Sequence, residues 1–125
     1  MGSINIETII GLRDRAVIAA MVFSFARVSA VAGMKIEDYY QNGKRWWIRL
    51  HEKGGKRHEV PCHHTLEAYL DAYILAAGIG EEKKGPLFRT ATRRRELSTT
   101  AMNRVDVLQM IKRRAADADF AALRQ

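Results

Sequence analysis

The tract from Trp46 to Pro61 limits the fold more than any other part of the chain. Trp46, Ile48 and Leu50 alternate with Trp47, Arg49 and His51, the two-residue period of a strand with one face turned inward. Gly54-Gly55, flanked by Lys53 and Lys56, suits the positive φ of a tight two-residue hairpin loop. The return run reaches about Val60, where Pro61 ends the pairing. Upstream, Ile36 to Tyr40 is a short β-prone run closed by the turn residues Gln41-Asn42-Gly43. A three-stranded antiparallel meander with a basic hairpin tip is therefore predicted.

Helical periodicity flanks the meander. From Leu12 to Phe25, the residues Val17, Met21 and Phe25 recur at i, i+4, i+8 with Ile18 and Val22 beside them, and Asp14 falls in the first turn, where the helix dipole favours an acid. A short second helix covers about Val28 to Met34, with Val31 and Met34 inward. Beyond the meander, Leu66, Tyr69, Leu70, Tyr73, Ile74 and Ala77 form an apolar stripe that stops at Gly78, a C-terminal cap. Gly80 to Gly85 reads as charged loop, Leu87-Phe88 as an apolar anchor, and Thr90 to Glu96 as a polar, basic stretch. Ser98 or Thr99 caps a last long helix with Met102, Val105, Leu108, Ile111 and Ala115 inward. The predicted class is α+β, mostly helical: two helices, a three-stranded antiparallel sheet, two helices. The 125 residues leave room for one core.

Charge points to the partner. Lys and Arg number 21 against 14 acids, a net +7, and clustered cations displace counterions from phosphates. Six cations and one acid lie between Gly43 and His58, followed by Arg93-Arg94-Arg95 and Lys112-Arg113-Arg114. The candidate DNA-binding residues are Arg45, Lys56, Arg57, Arg93, Arg94, Arg95 and Lys112; the bland alternative for each is a solvated surface. Trp46 and Trp47 could stack on bases, but strand tryptophans usually pack, and Trp46 is expected in the core. The longest apolar stretch, Ala16 to Ala26, is too short to cross a bilayer, and no signal-like start is present. One cysteine, Cys62, permits no internal disulfide and no cysteine-based zinc module. His63-His64 begins a helix with two rings expected to point apart, a polar turn rather than a metal pair. Cytoplasmic, nucleoid-associated location is expected, with duplex DNA as partner, no membrane, no cofactor, no metal and no small-molecule substrate.

In order and spacing the sequence resembles the catalytic domain of tyrosine recombinases of the phage-integrase type. Arg13-Asp14-Arg15-Ala16, an apolar helix, and then Arg27-Val28-Ser29 resemble the opening of that domain. Trp46 to Pro61, with Lys-Gly-Gly-Lys-Arg ahead of Val60-Pro61, resembles its basic hairpin; Pro86-Leu87-Phe88, Ser98 and Ile111 to Ala115 match later landmarks. The resemblance runs from about Leu12 to Asp119. It implies cutting and rejoining of DNA through a 3′-phosphotyrosyl intermediate without metal or nucleotide, in DNA recombination and the integration of mobile elements. Two arginines hold the phosphate, and a hairpin lysine protonates the departing 5′ oxygen. Positioned cations around an oxyanion are what phosphoryl transfer needs, and the planar guanidinium holds phosphate at two points. Carried over, Arg27 is the first catalytic arginine and Lys53 the general acid, with Lys56 as alternative. The alternatives to those roles are an arginine serving a helix start and a solvated turn lysine.

The same resemblance also implies missing parts. None of the four histidines has Arg three residues later, and no tyrosine follows Tyr73, so no nucleophile is assigned. Tyr39, Tyr40, Tyr69 and Tyr73 fit strand and helix-core positions. Phe25 stands where the family has Gly, and Ala30 where it has an acid. The expectation is one partial catalytic domain over 1–125, inactive alone, binding duplex DNA weakly and with little sequence preference. The rival is a non-enzymatic module that self-associates or binds a full-length recombinase. RNA binding through the Trp-rich hairpin is a third, weaker reading.

Overall fold

The computed structural model describes residues 4–123. Helix α1 spans Ile9–Ser24, and α2 Val28–Ala32; strands β1 (Tyr39–Asn42), β2 (Arg45–His51) and β3 (Arg57–Pro61) follow. Then come α3 (His64–Ala77), the short strands β4 (Arg89–Ala91) and β5 (Leu97–Ala101), and α4 (Arg104–Leu123). The meander is present in the order β1-β2-β3, antiparallel throughout, inside the expected α+β frame. A second, two-stranded sheet joins β4 to β5.

Local chemistry explains most boundaries. Thr8 caps α1 by accepting from the Gly11 backbone N–H at 3.0 Å, so the helix starts three residues before the apolar period does. Asp14 therefore lies beyond the first turn, and its partners are side chains rather than the helix dipole. At the other end Phe25 adopts φ 54, ψ 28, the left-handed cap conformation, and is 94% exposed. It does not extend the apolar stripe; Val22 is also exposed, and small residues such as Ala16, Ala19 and Ala20 form the buried face with Val17. Ile36–Asp38 is a 3-10 turn, not strand, because the Asp38 carboxylate accepts from the Lys35 backbone N–H at 2.9 Å and holds the turn closed. Gly78, at φ 67, ends α3 as predicted.

Two features of the hairpin differ from expectation. The loop has three residues, Lys53–Gly55, closed by the Glu52 N–H donating to the Lys56 carbonyl at 2.8 Å, with φ 80 at Gly54 and 78 at Gly55. Pairing also continues past Val60: Pro61 stands opposite Trp47, and the Cys62 N–H donates to the Trp46 carbonyl at 2.9 Å. An outer strand tolerates the missing proline donor, since that side needs no partner.

Packing is set by α1 and α3, which run antiparallel: Phe23 stacks on His63 at 4.4 Å, and the Arg15 guanidinium lies 3.9 Å over the Tyr69 ring. Ile48 and Leu50 of β2 join Val31, Leu66, Leu70 and Tyr73 in the core. Leu87 and Phe88, both fully buried, anchor the chain between Met34 and Met102 through two backbone bonds of 2.9 Å. Trp46 is half-buried rather than core and stacks on Tyr39 at 4.6 Å. Neither Ser98 nor Thr99 caps α4. Asn103 does, in reciprocal bonds with Asp106 of 2.8 and 2.9 Å, because residues 97–101 are taken up by β5. The inward face of α4 is accordingly Val107 and Met110, with Leu108 and Ile111 half-buried, while Val105 and Ala115 are exposed.

Candidate nucleic-acid interface

Arg27 enters the site through its backbone. At φ −68, ψ 149 it is the extended residue ahead of α2, and its carbonyl accepts from the Ala30 and Val31 N–H groups at 3.1 and 3.2 Å. The side chain makes no cap bond and is exposed. Ala30 is buried, so no carboxylate from that position meets the guanidinium. Helix α2 rests against β2, the strand leading to the Lys53 turn. Lys53, Lys56 and Arg57 are all exposed around that turn.

The basic tract is not one cluster. Lys44 and Arg45 sit at the opposite end of β2 from the Lys53 turn, with the length of that strand, roughly 20 Å, between them. Arg45 lies 6.0 Å from the Trp47 ring. Trp47 is half-buried and its indole N–H has no hydrogen-bond partner among the described residues. Between the two ends Arg49 is neutralised, 3.2 Å from Glu59 and 3.6 Å from the buried Asp38, which His51 also meets at 3.1 Å. Strand alternation signals none of this, because both ends of a strand carry the same charge in a linear count.

A third cluster is built by the hairpin that the sequence does not announce. Arg93, Arg94 and Arg95 form its tip, with the Thr92 N–H donating to the Glu96 carbonyl at 2.8 Å. Arg93 and Arg95 line a cleft of about 390 Å³ together with Arg113 and Arg114 from α4 and Arg13 and Asp14 from α1. Lys112, exposed on α4, does not line it. Beneath, Asp14 bridges Arg13 at 2.7 Å and Arg114 at 2.8 Å, and Arg13 also donates to the Arg89 carbonyl at 2.9 Å. Arg89 is buried and reaches Glu82 and the Pro86 carbonyl. These structural arginines escape sequence reading, apart from the adjacency of Arg13 and Asp14.

No family model matches the chain. The tyrosine recombinase XerC of Myxococcus xanthus is 30% identical over 74 residues, 59% of this chain and 24% of that protein. The crystal structure of the site-specific recombinase XerH bound to its difH substrate, a pre-cleavage complex, superposes with TM-score 0.63 at 19% identity over 98% of this chain and 33% of the other. A post-cleavage XerH complex with a palindromic difH substrate gives 0.60 at 17% identity over 90% and 31%. This chain has a tyrosine recombinase fold. It spans about a quarter of the curated relative and a third of the solved one.

Within that recombinase fold, the tyrosines have structural partners. The Tyr73 hydroxyl donates to the Leu87 carbonyl at 2.7 Å, and burial pushes its pKa up to about 12. Tyr39 donates to Asp71 at 2.7 Å, and burial together with that carboxylate raises its pKa far above the usual range. Tyr40 and Tyr69 lie under Arg49 and Arg15. Burial likewise raises the Cys62 thiol to about 12, leaving little thiolate near neutrality. His63 and His64 do not point apart: their rings lie 4.2 Å from each other, and His63 Nδ1 caps α3 by accepting from the Thr65 N–H at 3.1 Å. Among the described residues no group of three or more His, Cys, Asp or Glu could hold a metal.

Proposed function

We propose that residues 1–125 are one partial catalytic domain, the DNA-binding portion of a site-specific tyrosine recombinase. Arg27 holds a non-bridging oxygen of the scissile phosphate. Where a tyrosine from outside these residues bonds to the phosphorus, Lys53 would give its Nζ proton to the 5′ oxygen as the P–O bond to that oxygen breaks. The second arginine, the histidine and the nucleophilic tyrosine are not among these residues, so the chain binds duplex DNA without cleaving it.

One observation carries this reading. Arg13, Arg49, Lys84, Arg89 and Arg114 each pair with a carboxylate, whereas Arg27 and Lys53 are exposed and have no acidic partner within ion-pair distance among the described residues. Cations left unpaired on a folded surface are the ones available to phosphate. That XerH is bound to a difH substrate in both solved complexes supports a duplex DNA partner for this chain.

The test is fluorescence anisotropy with a labelled duplex across a salt series. Affinity should fall as salt rises, and Arg27→Gln and Lys53→Gln should each flatten the log–log slope by about 1. Arg49→Gln, which breaks an existing ion pair, should leave the slope alone. Binding that ignores salt, or slopes unmoved in both variants, refutes the proposal. Lys56→Gln flattening the slope while Lys53→Gln does not would make Lys56, rather than Lys53, the hairpin contact to phosphate.

An interaction module is the second reading. It is favoured by an apolar cleft of about 500 Å³ lined by Ile36, Tyr39, Trp46, Ile74 and the exposed Leu75. Concentration-dependent mass in light scattering, with no DNA binding, would select it.

A further inference from the structure

We propose that the cleft between the β4–β5 hairpin tip and α4 is a second phosphate-binding site, separate from Arg27. The charge count inside the cleft is the first support. Both oxygens of Asp14 are already used, Oδ1 accepting from Arg13 at 2.7 and 2.9 Å and Oδ2 from Arg114 at 2.8 and 3.0 Å. That leaves Arg93, Arg95 and Arg113 facing the cleft with no carboxylate within ion-pair distance among the described residues. Asp117 on the wall is the one acid not engaged there, so three guanidinium charges meet one carboxylate. Like charges gathered around a concavity repel one another unless an anion sits between them.

Backbone geometry is the second support. Arg95 holds φ 62, a left-handed conformation that glycine or asparagine adopts at lower cost. A hairpin tip needs some residue there, and an arginine at that place carries its charge into the cleft at the expense of strain. The ligand class follows from donor type. Planar forks on two sides suit a tetrahedral dianion or phosphodiester, which accepts bidentate bonds from more than one guanidinium.

The location makes the site distinct. The cleft lies on the N-terminal half of α1, at Ile10, Arg13 and Asp14, while Arg27 follows its C-terminal end. Along a 16-residue helix that separation is roughly 20 Å. One phosphate cannot serve both places.

Thermal unfolding of the full chain with inorganic pyrophosphate, alongside duplex-DNA anisotropy, tests the proposal. Pyrophosphate should raise Tm by several degrees in the parent chain and in Arg27→Gln. It should not do so in Arg113→Gln or in Arg95→Gly, and the latter should itself unfold at a higher temperature without ligand because the strain is gone. If these two variants also flatten the DNA salt slope by about 1 each, the phosphate comes from the nucleic-acid backbone. If the DNA slope is unchanged while pyrophosphate protection is lost, the source is a free phosphate compound. No protection of the parent chain, equal protection of the variants, or equal protection by polyglutamate overturns the proposal. The Arg27→Gln arm keeps its failure separate from failure of the recombinase reading.

Discussion

Replacing Asp14 by asparagine should cost this fold a large share of its stability. Asp14 and Arg13 are 2% and 3% exposed, and the Asp14 carboxylate takes four N–H bonds from two arginines, one of them 100 residues away on α4. Asparagine keeps one acceptor oxygen and turns an NH₂ group toward guanidinium donors, so about half the bonds vanish and a buried charge loses its counter-ion. Breaking one side of a buried pair costs about 3–5 kcal/mol, against a total of about 5–15 kcal/mol for a domain of this size. In urea, with m near 2 kcal/mol/M, the midpoint should fall by on the order of 2 M. Arg114→Gln should cost less, because Arg114 is about a fifth exposed and Asp14 retains Arg13. The triple replacement Arg13→Met, Asp14→Leu, Arg114→Met should recover most of the loss, since apolar side chains of similar volume avoid the desolvation of three charges. A loss below about 1 kcal/mol for Asp14→Asn would refute the reasoning and mean that water reaches the network.

Two other expectations follow from single residues. Phe25→Gly should stabilise the chain by about 1 kcal/mol in the same urea assay, because a left-handed φ of 54 costs an L-residue about 1–2 kcal/mol and the 94% exposed ring gives little in return; unchanged or lower stability would show the ring to be packed. Alkaline pH should destabilise the fold. The Tyr73 and Cys62 pKa values are raised to about 12 from 10.0 and 9.0, so the folded chain holds these protons longer than the unfolded one. Their contribution is fully present below about pH 9 and is lost as pH climbs toward 12, Tyr73 alone accounting for about 3 kcal/mol. Tm measured from pH 8 to 12 should fall in that window, and Tyr73→Phe should flatten the fall; a flat Tm profile in the parent chain sinks the idea.

The sequence by itself determined the parts whose causes are local. Alternation around Gly54-Gly55 set the meander, the stripe from Leu66 to Ala77 set α3, and Gly78 set its end, because each rests on backbone preference and a repeating period within a few residues. Tertiary structure decided what depends on distant partners. The β4–β5 hairpin has an irregular, polar pattern that pairing stabilises, and its presence moved the cap of α4 from Ser98 or Thr99 to Asn103 and changed which residues face inward. Likewise, charge along the chain gives no sign of which arginines are spent. Arg49, Arg89 and Arg114 met carboxylates through folding, and among the described residues Arg93, Arg95 and Arg113 did not. Coulomb energy depends on separation in space, and only the folded chain fixes that separation.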